Sequence, residues 1–406
     1  MKCRSCRADL SEPILDLGFA PPSNQYLSKS ELDKPEAYLP IRARFCDRCK
    51  LMQMEDYSLP QELFTTDYAY RSGVSRSWLE HVAGFATSAV SDLELTPGSL
   101  VIEIGCNDGH LLRRFAEQGI GCLGIEPAEE AAEAAREHGI DVVVDFFSTG
   151  MAASLAGRGV FADLVVANNV FAHVPDINDF AEGLQIVLGP DGVVVLEFPH
   201  VQNLLHHAQF DTIYHEHYSY LSLTSASQVL RHAGLEVFDV EKISTHGGSL
   251  RVFASHRGSR PVRPEVGTLL RSELDAGLGD RPVYAALQPA AERIKDDLLR
   301  FLLDAKRDGR RVAAYGAAAK GNTLLNFAGV KPDLLPVVFD AAPSKQGKYL
   351  PGSHVPIRPP SAIETGAWDS ILILPWNIAQ EIVGQLRPLL GKEVDFVVAV
   401  PDLTIL

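Results

Sequence analysis

The sequence predicts an α/β protein built around a doubly wound, parallel sheet. Three observations predict this fold. Residues 101–112 read as an apolar strand, a glycine turn and a helix start, strands and helices alternate from Ser99 to about residue 198, and a second strand–turn–helix follows at 311–324. Such alternation is typical of parallel sheets, which bind ligands at the carboxyl ends of their strands. Two cysteine pairs precede the alternating region, and the second strand–turn–helix follows it. We therefore expect three domains, at 1–65, 66–260 and 261–406.

Charge and composition exclude several classes of partner. The chain has 406 residues and a formal net charge of -15, so nucleic acid and anionic membrane surfaces would repel it. No apolar run reaches the length of about 18 residues that a membrane span needs. Since Met1 is followed directly by a cysteine motif, we expect a cytoplasmic protein without a signal peptide. The sequence leaves the oligomeric state undetermined.

Four cysteines form two C-x-x-C pairs, Cys3 with Cys6 and Cys46 with Cys49. In a reducing cytoplasm this spacing favours zinc over disulfides, and four thiolates leave no open position for catalysis. The loop-rich stretch around them is too short to bury its own core, so a structural zinc ion would supply folding free energy. A zinc ribbon that binds nucleic acid is the alternative, which the acidic charge disfavours.

The turn after the first strand predicts a nucleoside site. Gly105 lets the backbone leave the strand, Asp108 is the predicted N-cap of the helix, and Gly109 leaves room for a ligand. Glu126 lies 21 residues after Gly105, where an acidic residue grips ribose hydroxyls. Asn107 replaces the second glycine of the dinucleotide pattern, which leaves less room for a pyrophosphate.

Read from Glu103, the pattern E-x-G-x-x-x-G resembles the S-adenosylmethionine (SAM) site of class I methyltransferases. Asp145 and Phe146 end the third strand, where they could bind adenine, and Asn168 and His173 follow the fourth. Each residue is weak evidence alone, since Asn and Asp are common turn formers. An ordinary capped strand–turn–helix remains the alternative, but agreement of successive strand ends favours a cofactor site.

The densest polar cluster spans 209–220 and includes Tyr214, His215, Glu216 and His217. Metal binding, general acid–base work and a hydrogen-bonded polar loop all fit these residue types. Two predicted antiparallel strands, 235–243 and 248–256, would complete a seven-stranded sheet. His246 lies between them beside two glycines that permit close approach of a ligand.

The last third of the chain predicts a second, shorter Rossmann-like unit. A linker rich in Arg, Pro and Gly is expected at 258–280 and a long helix at 284–308, before the turn that carries Lys320. Small residues and a lysine at a helix start suit a phosphate, although Ala319 replaces a glycine that a Walker A loop requires. Asp340 and Lys345 are expected near the mouth of this unit.

Together these motifs resemble, over essentially the whole chain, the zinc-containing, three-domain C-methyltransferases of nucleotide-deoxysugar biosynthesis. The motifs that carry the resemblance are the two cysteine pairs, Tyr68-Ala-Tyr70, 103–109, 145–147, 211–217, 246–248 and 315–320. The resemblance implies a class I methyltransferase Rossmann-like central domain, an N-terminal zinc-binding module and a C-terminal Rossmann-like domain. It also implies a keto sugar, linked to dTDP or GDP, between the last two.

Site residues follow from the motifs and the resemblance. SAM is expected at Glu103, Gly105, Asn107, Asp108, Gly109, Glu126, Asp145, Phe146, Asn168 and His173. The nucleotide is expected at Lys320, Asn322, Asp340 and Lys345. The resemblance places Tyr70, Tyr214, Glu216, His217 and His246 around the sugar, with His217 as the base.

These residue types suit methylation of carbon. A proton beside a ketone becomes removable when the resulting enolate is stabilised; His217 could take it, and a tyrosine or His246 could donate to the enolate oxygen. Glu216 or another neighbour would fix the imidazole tautomer. The alternatives are methylation of oxygen or nitrogen, an NAD(P)-dependent sugar oxidoreductase, and a non-enzymatic zinc-ribbon protein. The sugar, the methylated carbon and the nucleotide base stay open.

Overall fold

The computed structural model describes residues 1–57, 73, 76–364 and 366–406. Tyr68 and Tyr70 therefore lie outside the described residues, as does the side chain of His246. No described helix combines the length and the apolarity that crossing a membrane requires.

An antiparallel sheet forms the N-terminal module. Its strands β1 (Leu15–Ala20), β2 (Leu39–Phe45) and β3 (Met52–Met54) are joined by a fourth, β9 (Ser219–Tyr220), which comes from the polar cluster. Met52 pairs with Tyr220 in this register. The polar cluster is therefore held between the N-terminal module and the central domain.

The central sheet has seven strands in the order β10-β11-β8-β7-β4-β5-β6. Its strands are β4 (Leu100–Ile104), β5 (Gly121–Ile125), β6 (Asp141–Val143), β7 (Ala162–Asn168), β8 (Leu188–Pro199), β10 (Leu235–Ile243) and β11 (Ser249–His256). The first five are parallel, and β11 runs antiparallel to β8 and β10. This confirms the predicted α/β fold and its two antiparallel closing strands.

Helices flank this sheet on both faces. They are α1 (Arg76–Asp92), α2 (His110–Ala116), α3 (Glu129–Glu137), α4 (Thr149–Gly157), α5 (Ile177–Val187), α6 (Val201–His206) and α7 (Leu223–His232). The predicted cap of α2 is wrong: the N-cap is Gly109, at φ 74°, and the Asp108 carboxylate instead accepts a hydrogen bond from the Gly73 amide at 3.0 Å.

The predicted linker contains a helix, α8 (Pro264–Asp275). Val266 and Leu269 of α8 are buried in the same core as the central sheet. Pro264 lies in the first turn, where its missing N–H costs nothing. Although α8 lies on the central domain, the division at residue 261 stays a prediction.

The C-terminal domain contains a second sheet, in the order β14-β13-β12-β15-β16-β17, parallel except for β17. Its strands are β12 (Val312–Tyr315), β13 (Val338–Phe339), β14 (Ile357–Arg358), β15 (Ser370–Ile373), β16 (Asp395–Val398) and β17 (Thr404–Ile405). Its helices are α9 (Arg281–Ala285), α10 (Leu287–Arg307), α11 (Ala319–Phe327) and α12 (Ala379–Leu390).

The N-terminal module shares its core with the C-terminal domain. Leu15 and Met52 of the module and Leu287 and Ile294 of α10 belong to one buried cluster. The Phe45 ring stacks on that of Tyr284, with centroids 4.1 Å apart. The module thus buries its apolar face against another domain, in agreement with the prediction that it lacks a self-sufficient core.

Candidate active site

A cavity of about 410 Å³ opens at the carboxyl ends of the central parallel strands. All three parts of the chain line it: the loops after β4, β5, β6 and β7, Asn24 of the N-terminal module, and the turn that starts α11, with Lys320. It lies beside the polar cluster, which contributes Thr212, Tyr214 and His217 to its wall. This cavity is therefore the candidate active site.

The turn after β4 forms one end of the cavity, where Gly105 and Asn107 line the wall. Gly105 has φ 67°, and a Cβ there would lie 2.5 Å from the Val170 Cγ2, so only glycine fits without a shift. The Glu126 carboxylate accepts hydrogen bonds from the amides of Asn107 and Ala128, both at 2.9 Å. Glu126, which follows β5, thus fixes the turn after β4.

Two polar groups in this end have no hydrogen-bond partner among the described residues. They are the Oε2 of Glu103 and both amide atoms of Asn168. Burial, reinforced by the nearby Asp108 and Glu126 carboxylates, raises the pKa of Glu103 well above its ordinary value. Buried polar groups are normally satisfied, so these two indicate a polar ligand. The amide donor and acceptor and the carboxyl oxygen fit the hydroxyls and amino group of SAM.

The other predicted cofactor residues divide into two groups. Asp145, Phe146 and His173 line the cavity. Asp108 and Gly109 do not: a Cβ on Gly109 would meet the Ala135 Cβ of α3 at 2.9 Å, so this glycine permits close helix packing rather than approach of a ligand.

His217 lies on the cavity wall. Its Nδ1 is 2.7 Å from the Thr212 carbonyl oxygen. A carbonyl can only accept, so Nδ1 carries the proton, and in the neutral ring the basic lone pair is on Nε2. The sequence leaves open whether Glu216 or another neighbour fixes this tautomer, and the structure assigns that contact to Thr212.

Aromatic rings hold the His217 imidazole in place. The Tyr214 ring lies 4.1 Å from it and the His173 ring meets it edge-on at 4.6 Å, measured between centroids. Burial lowers the pKa of His173 to about 4, so this neighbour is neutral near pH 7. A neutral His173 adds no charge that would oppose protonation of His217.

Glu216 is buried and does not line the cavity. Both of its oxygens accept hydrogen bonds from the Asn24 Nδ2, at 2.8 and 2.9 Å. Asn24 lines the cavity itself, although it belongs to none of the motifs described above. No local signal could have identified it, because it is 192 residues away from Glu216.

Two lysines form the other end of the cavity. Lys320 Nζ donates to the Asn377 Oδ1 at 2.7 Å, and Lys345 Nζ donates to the Ala317 carbonyl at 2.9 Å. Burial lowers the pKa of Lys320 to about 8, against the opposing pull of the Asp211 carboxylate. Ammonium groups at a helix start suit a phosphate-bearing ligand.

Asn322 and Asp340 do not reach the cavity. The Asn322 Nδ2 donates to the Ser23 carbonyl at 2.8 Å and so ties α11 to the N-terminal module. Asp340 accepts hydrogen bonds from the amides of Ala317 and Ala342, at 2.6 and 2.7 Å, which fixes the turn before α11. Both side chains shape the site without facing it.

The four predicted zinc ligands come together away from this cavity. The ligand atoms of Cys3, Cys6, Cys46 and Cys49 lie within 4.8 Å of one another, and the closest sulfur pairs are 3.5 Å apart. Zn–S bonds of about 2.3 Å place tetrahedral sulfurs about 3.8 Å apart, so the cluster fits zinc. The Gln53 Nε2 lies 3.2 Å from the Cys3 sulfur and can donate to a thiolate there.

Comparison with known proteins identifies the family. Three family models match successive stretches: a zinc binding domain at 3–64, a methyltransferase domain at 77–240 and a C-methyltransferase C-terminal domain at 244–401. C-methyltransferase NovU of Streptomyces niveus is 33% identical over 402 residues, which cover 99% of this chain and 96% of NovU. The chain belongs to this C-methyltransferase family. It is thus a SAM-dependent enzyme with a zinc-binding module.

Other relatives of this C-methyltransferase match a smaller part of it. The ubiquinone biosynthesis O-methyltransferase of Azorhizobium caulinodans is 31% identical over 101 residues, which cover 24% of this chain and 40% of that protein. The magnesium protoporphyrin IX methyltransferase of Synechocystis, solved with bound SAM, is 19% identical. The match covers 43% of this chain and 78% of the Synechocystis chain, with a TM-score of 0.34.

Proposed function

We propose that this C-methyltransferase methylates a carbon next to the ketone of a nucleotide-linked keto-deoxysugar in the cytoplasm. The observation that carries the proposal is the charge pattern of the cavity. Glu126 and Asp145 line it from the loops after β5 and β6, Lys320 and Lys345 line it from the C-terminal domain, and His217 lines it from the polar cluster. Acidic groups from one domain, ammonium groups from another and an imidazole in the same cavity match a sulfonium donor and a sugar diphosphate.

SAM bound over the turn after β4 would supply an electrophilic methyl group. The Glu103 oxygen and the Asn168 amide, which have no partner in the described part of the chain, would bind its polar groups, and Asp145 would add negative charge near the sulfonium. The protein's own residues would then have to orient the acceptor carbon and remove its proton.

The sugar nucleotide would lie against the turn that starts α11. Lys320 and Lys345 would neutralise its diphosphate, whether the base is thymine or guanine. Held at both ends, the two substrates react as if in one molecule, which supplies much of the rate enhancement.

His217 would act as the general base. Because Thr212 holds the proton on Nδ1, the Nε2 lone pair would accept the proton from the sugar carbon. The charge left behind would spread onto the ketone oxygen as an enolate, stabilised by a hydrogen bond from Tyr214, Tyr70 or His246. The enolate carbon would then attack the methyl group as the bond from that methyl to sulfur breaks, which would leave S-adenosylhomocysteine as the neutral leaving group and the proton on His217.

Incubation with SAM and a panel of dTDP- and GDP-linked 4-keto sugars tests this proposal. We expect a mass gain of one CH2 unit, and NMR of the product should show the methyl group on carbon. Solvent deuterium should also enter the sugar at that carbon when SAM is omitted. A methyl group on oxygen or nitrogen, or no gain with any sugar, would contradict the proposed substrate chemistry.

His217→Asn tests the base. We expect both methyl transfer and deuterium exchange to fall by a factor of about 10²–10⁴, the usual contribution of a general base, while SAM binding measured by calorimetry persists. His206→Asn, an exposed histidine at the end of α6, is the matched control and should behave like wild type. Full exchange in His217→Asn would remove His217 from the proposed role.

A further inference from the structure

The short 3-10 helix Phe210–Thr212 and the preceding Gln209 contact three separate parts of the site. Thr212 accepts the hydrogen bond from His217 Nδ1 at 2.7 Å. The Asp211 Oδ2 accepts one from the Trp376 Nε1 of the C-terminal domain, also at 2.7 Å. The Gln209 Nε2 donates to the Gly247 carbonyl, next to His246, at 3.1 Å. Four consecutive residues thus join the proposed base to two other loops.

Burial of the Asp211 carboxylate at this position costs folding free energy. It is fully buried, and its Oδ1 has no hydrogen-bond partner among the described residues. Burial raises its pKa to about 6, although the Lys320 charge, the Trp376 hydrogen bond and the amides of Asp211 and Thr212 oppose the shift. A carboxylate buried with incomplete hydrogen bonding destabilises a protein relative to a well-packed apolar side chain. Stability alone therefore does not account for it.

Trp376 connects Asp211 to the phosphate end of the cavity. The Lys320 ammonium lies 4.3 Å from the centre of its indole ring, and Asn377, the next residue, accepts the Lys320 hydrogen bond. One indole therefore supports the lysine through its face and bonds Asp211 through its edge. This contact crosses from the C-terminal domain to the central domain.

Gly247 shows how closely the three parts pack. It has φ 87°, and a Cβ there would lie 2.6 Å from an indole carbon of Trp376 and 2.9 Å from Gln209 Nε2. Any other residue would force the loop with His246 away from Trp376 and the 3-10 helix. Gly247 therefore permits close packing of this loop against Trp376 and Gln209, and the cofactor site does not depend on it.

We infer that Asp211 and Trp376 are positioning residues that fix the 3-10 helix, and through Thr212 the His217 imidazole, when the C-terminal domain is docked. Neither side chain lines the cavity, so neither touches substrate. The inference rests on the proposed role of His217. The base would thus be aligned only where the domain that holds the nucleotide is in place.

Trp376→Phe tests this inference because it removes the indole N–H and keeps a ring for Lys320. We expect kcat for methyl transfer and the rate of deuterium exchange without SAM to fall about tenfold, as for the loss of one hydrogen bond to a charged group. The affinity for free dTDP or GDP should not change. Trp368→Phe is the matched control: its indole donates to the Ile363 carbonyl at 3.1 Å elsewhere in the same domain, and turnover should stay at the wild-type value.

Asp211→Asn and Asp211→Ala form the second pair. The amide oxygen of Asn can still accept from Trp376, so we expect Asp211→Asn to keep most of kcat and Asp211→Ala to lose it. Equal kcat in Trp376→Phe and Trp368→Phe would overturn the inference. In Trp376→Phe, a loss of kcat that comes with weaker nucleotide binding or a lower unfolding midpoint would also overturn it, because those changes mark a purely structural role. The Asp211 variants are judged on kcat alone, because the Asp211 charge raises the pKa of Lys320.

Nitrogen NMR of 15N-histidine-labelled protein separates failure of this inference from failure of the proposed function. The His217 signals are those lost in His217→Asn. We expect the Nδ1–H tautomer in wild type and in Trp368→Phe, and a mixed tautomer in Trp376→Phe. If no keto sugar is methylated, the proposed function fails and the NMR comparison still decides the inference. An unchanged His217 tautomer in Trp376→Phe overturns it.

Discussion

The protonation state of Lys320 should control the affinity for the nucleotide. Its pKa is about 8, lowered mainly by burial, so its charge is complete near pH 6.5 and declines as the pH rises through 8. We expect the affinity for free dTDP or GDP, measured by calorimetry, to weaken over that range. In Lys320→Arg the guanidinium stays charged, so affinity should vary much less with pH. The same decline in both proteins would show that another group controls binding.

At the same scale, the sequence identifies side chains better than it identifies their partners. The sequence predicts Lys320 and His217 as site residues because their residue types suit phosphate binding and proton transfer, and both line the cavity. The Thr212 carbonyl could not be predicted, because every residue has one and only the fold decides which faces an imidazole. Asn24 and Trp376 were missed because each meets the polar cluster through contacts distant in sequence.

Among the secondary-structure elements, α8 lies in the segment predicted as a linker, and its residue Glu273 contacts the central domain. The Glu273 carboxylate accepts hydrogen bonds from His200 Nε2 at 2.8 Å and from the Leu223 and Thr224 amides at 2.6 and 2.9 Å. It therefore caps α7 from a different helix. Burial alone would raise the pKa of Glu273, but the bonds from His200 and Thr224 outweigh it and lower the pKa.

Glu273→Ala should destabilise the protein by about 3 kcal/mol, because it leaves the start of α7 and a buried His200 without their acceptor. The unfolding midpoint in urea measures this loss. Glu265→Ala, an exposed residue of the same helix, is the control and should unfold near the wild-type midpoint. Because folding lowers the Glu273 pKa, the stabilisation is present above the unfolded pKa of about 4.3 and is lost as the pH falls through the folded value. A Glu273→Ala midpoint equal to that of the control would contradict this role.

The α8 helix also shows where element prediction fails. The parallel strands were predictable because they are short and mostly apolar and are bounded by glycines and polar residues. Around α8, the Arg, Pro and Gly residues of 258–280 indicate a linker and conceal the apolar spacing of Val266 and Leu269. Tertiary burial of this narrow face outweighs the composition.

Across the whole molecule, the N-terminal module connects the zinc cluster to the proposed base. The module packs on α10, its sheet receives β9 from the polar cluster, and Asn24 bonds Glu216, one residue from His217. Sequence alone could predict that the module needs outside support, because it is short and loop-rich. It could not predict which domain supports it, since the pairing of apolar faces is a non-local property.

Removal of zinc should therefore lower activity, although the zinc cluster lies away from the active-site cavity. Four thiolates confined within 4.8 Å repel one another unless a cation balances them, so metal loss should loosen the module and release Asn24 from Glu216. We expect about one zinc ion per chain and, on chelation, loss of turnover in step with metal release and a lower unfolding midpoint. Cys3→Ser should reproduce the effect, and Cys122→Ser, a thiol outside the cluster, should not. Metal-free protein with wild-type turnover would show that the module does not support the catalytic loop.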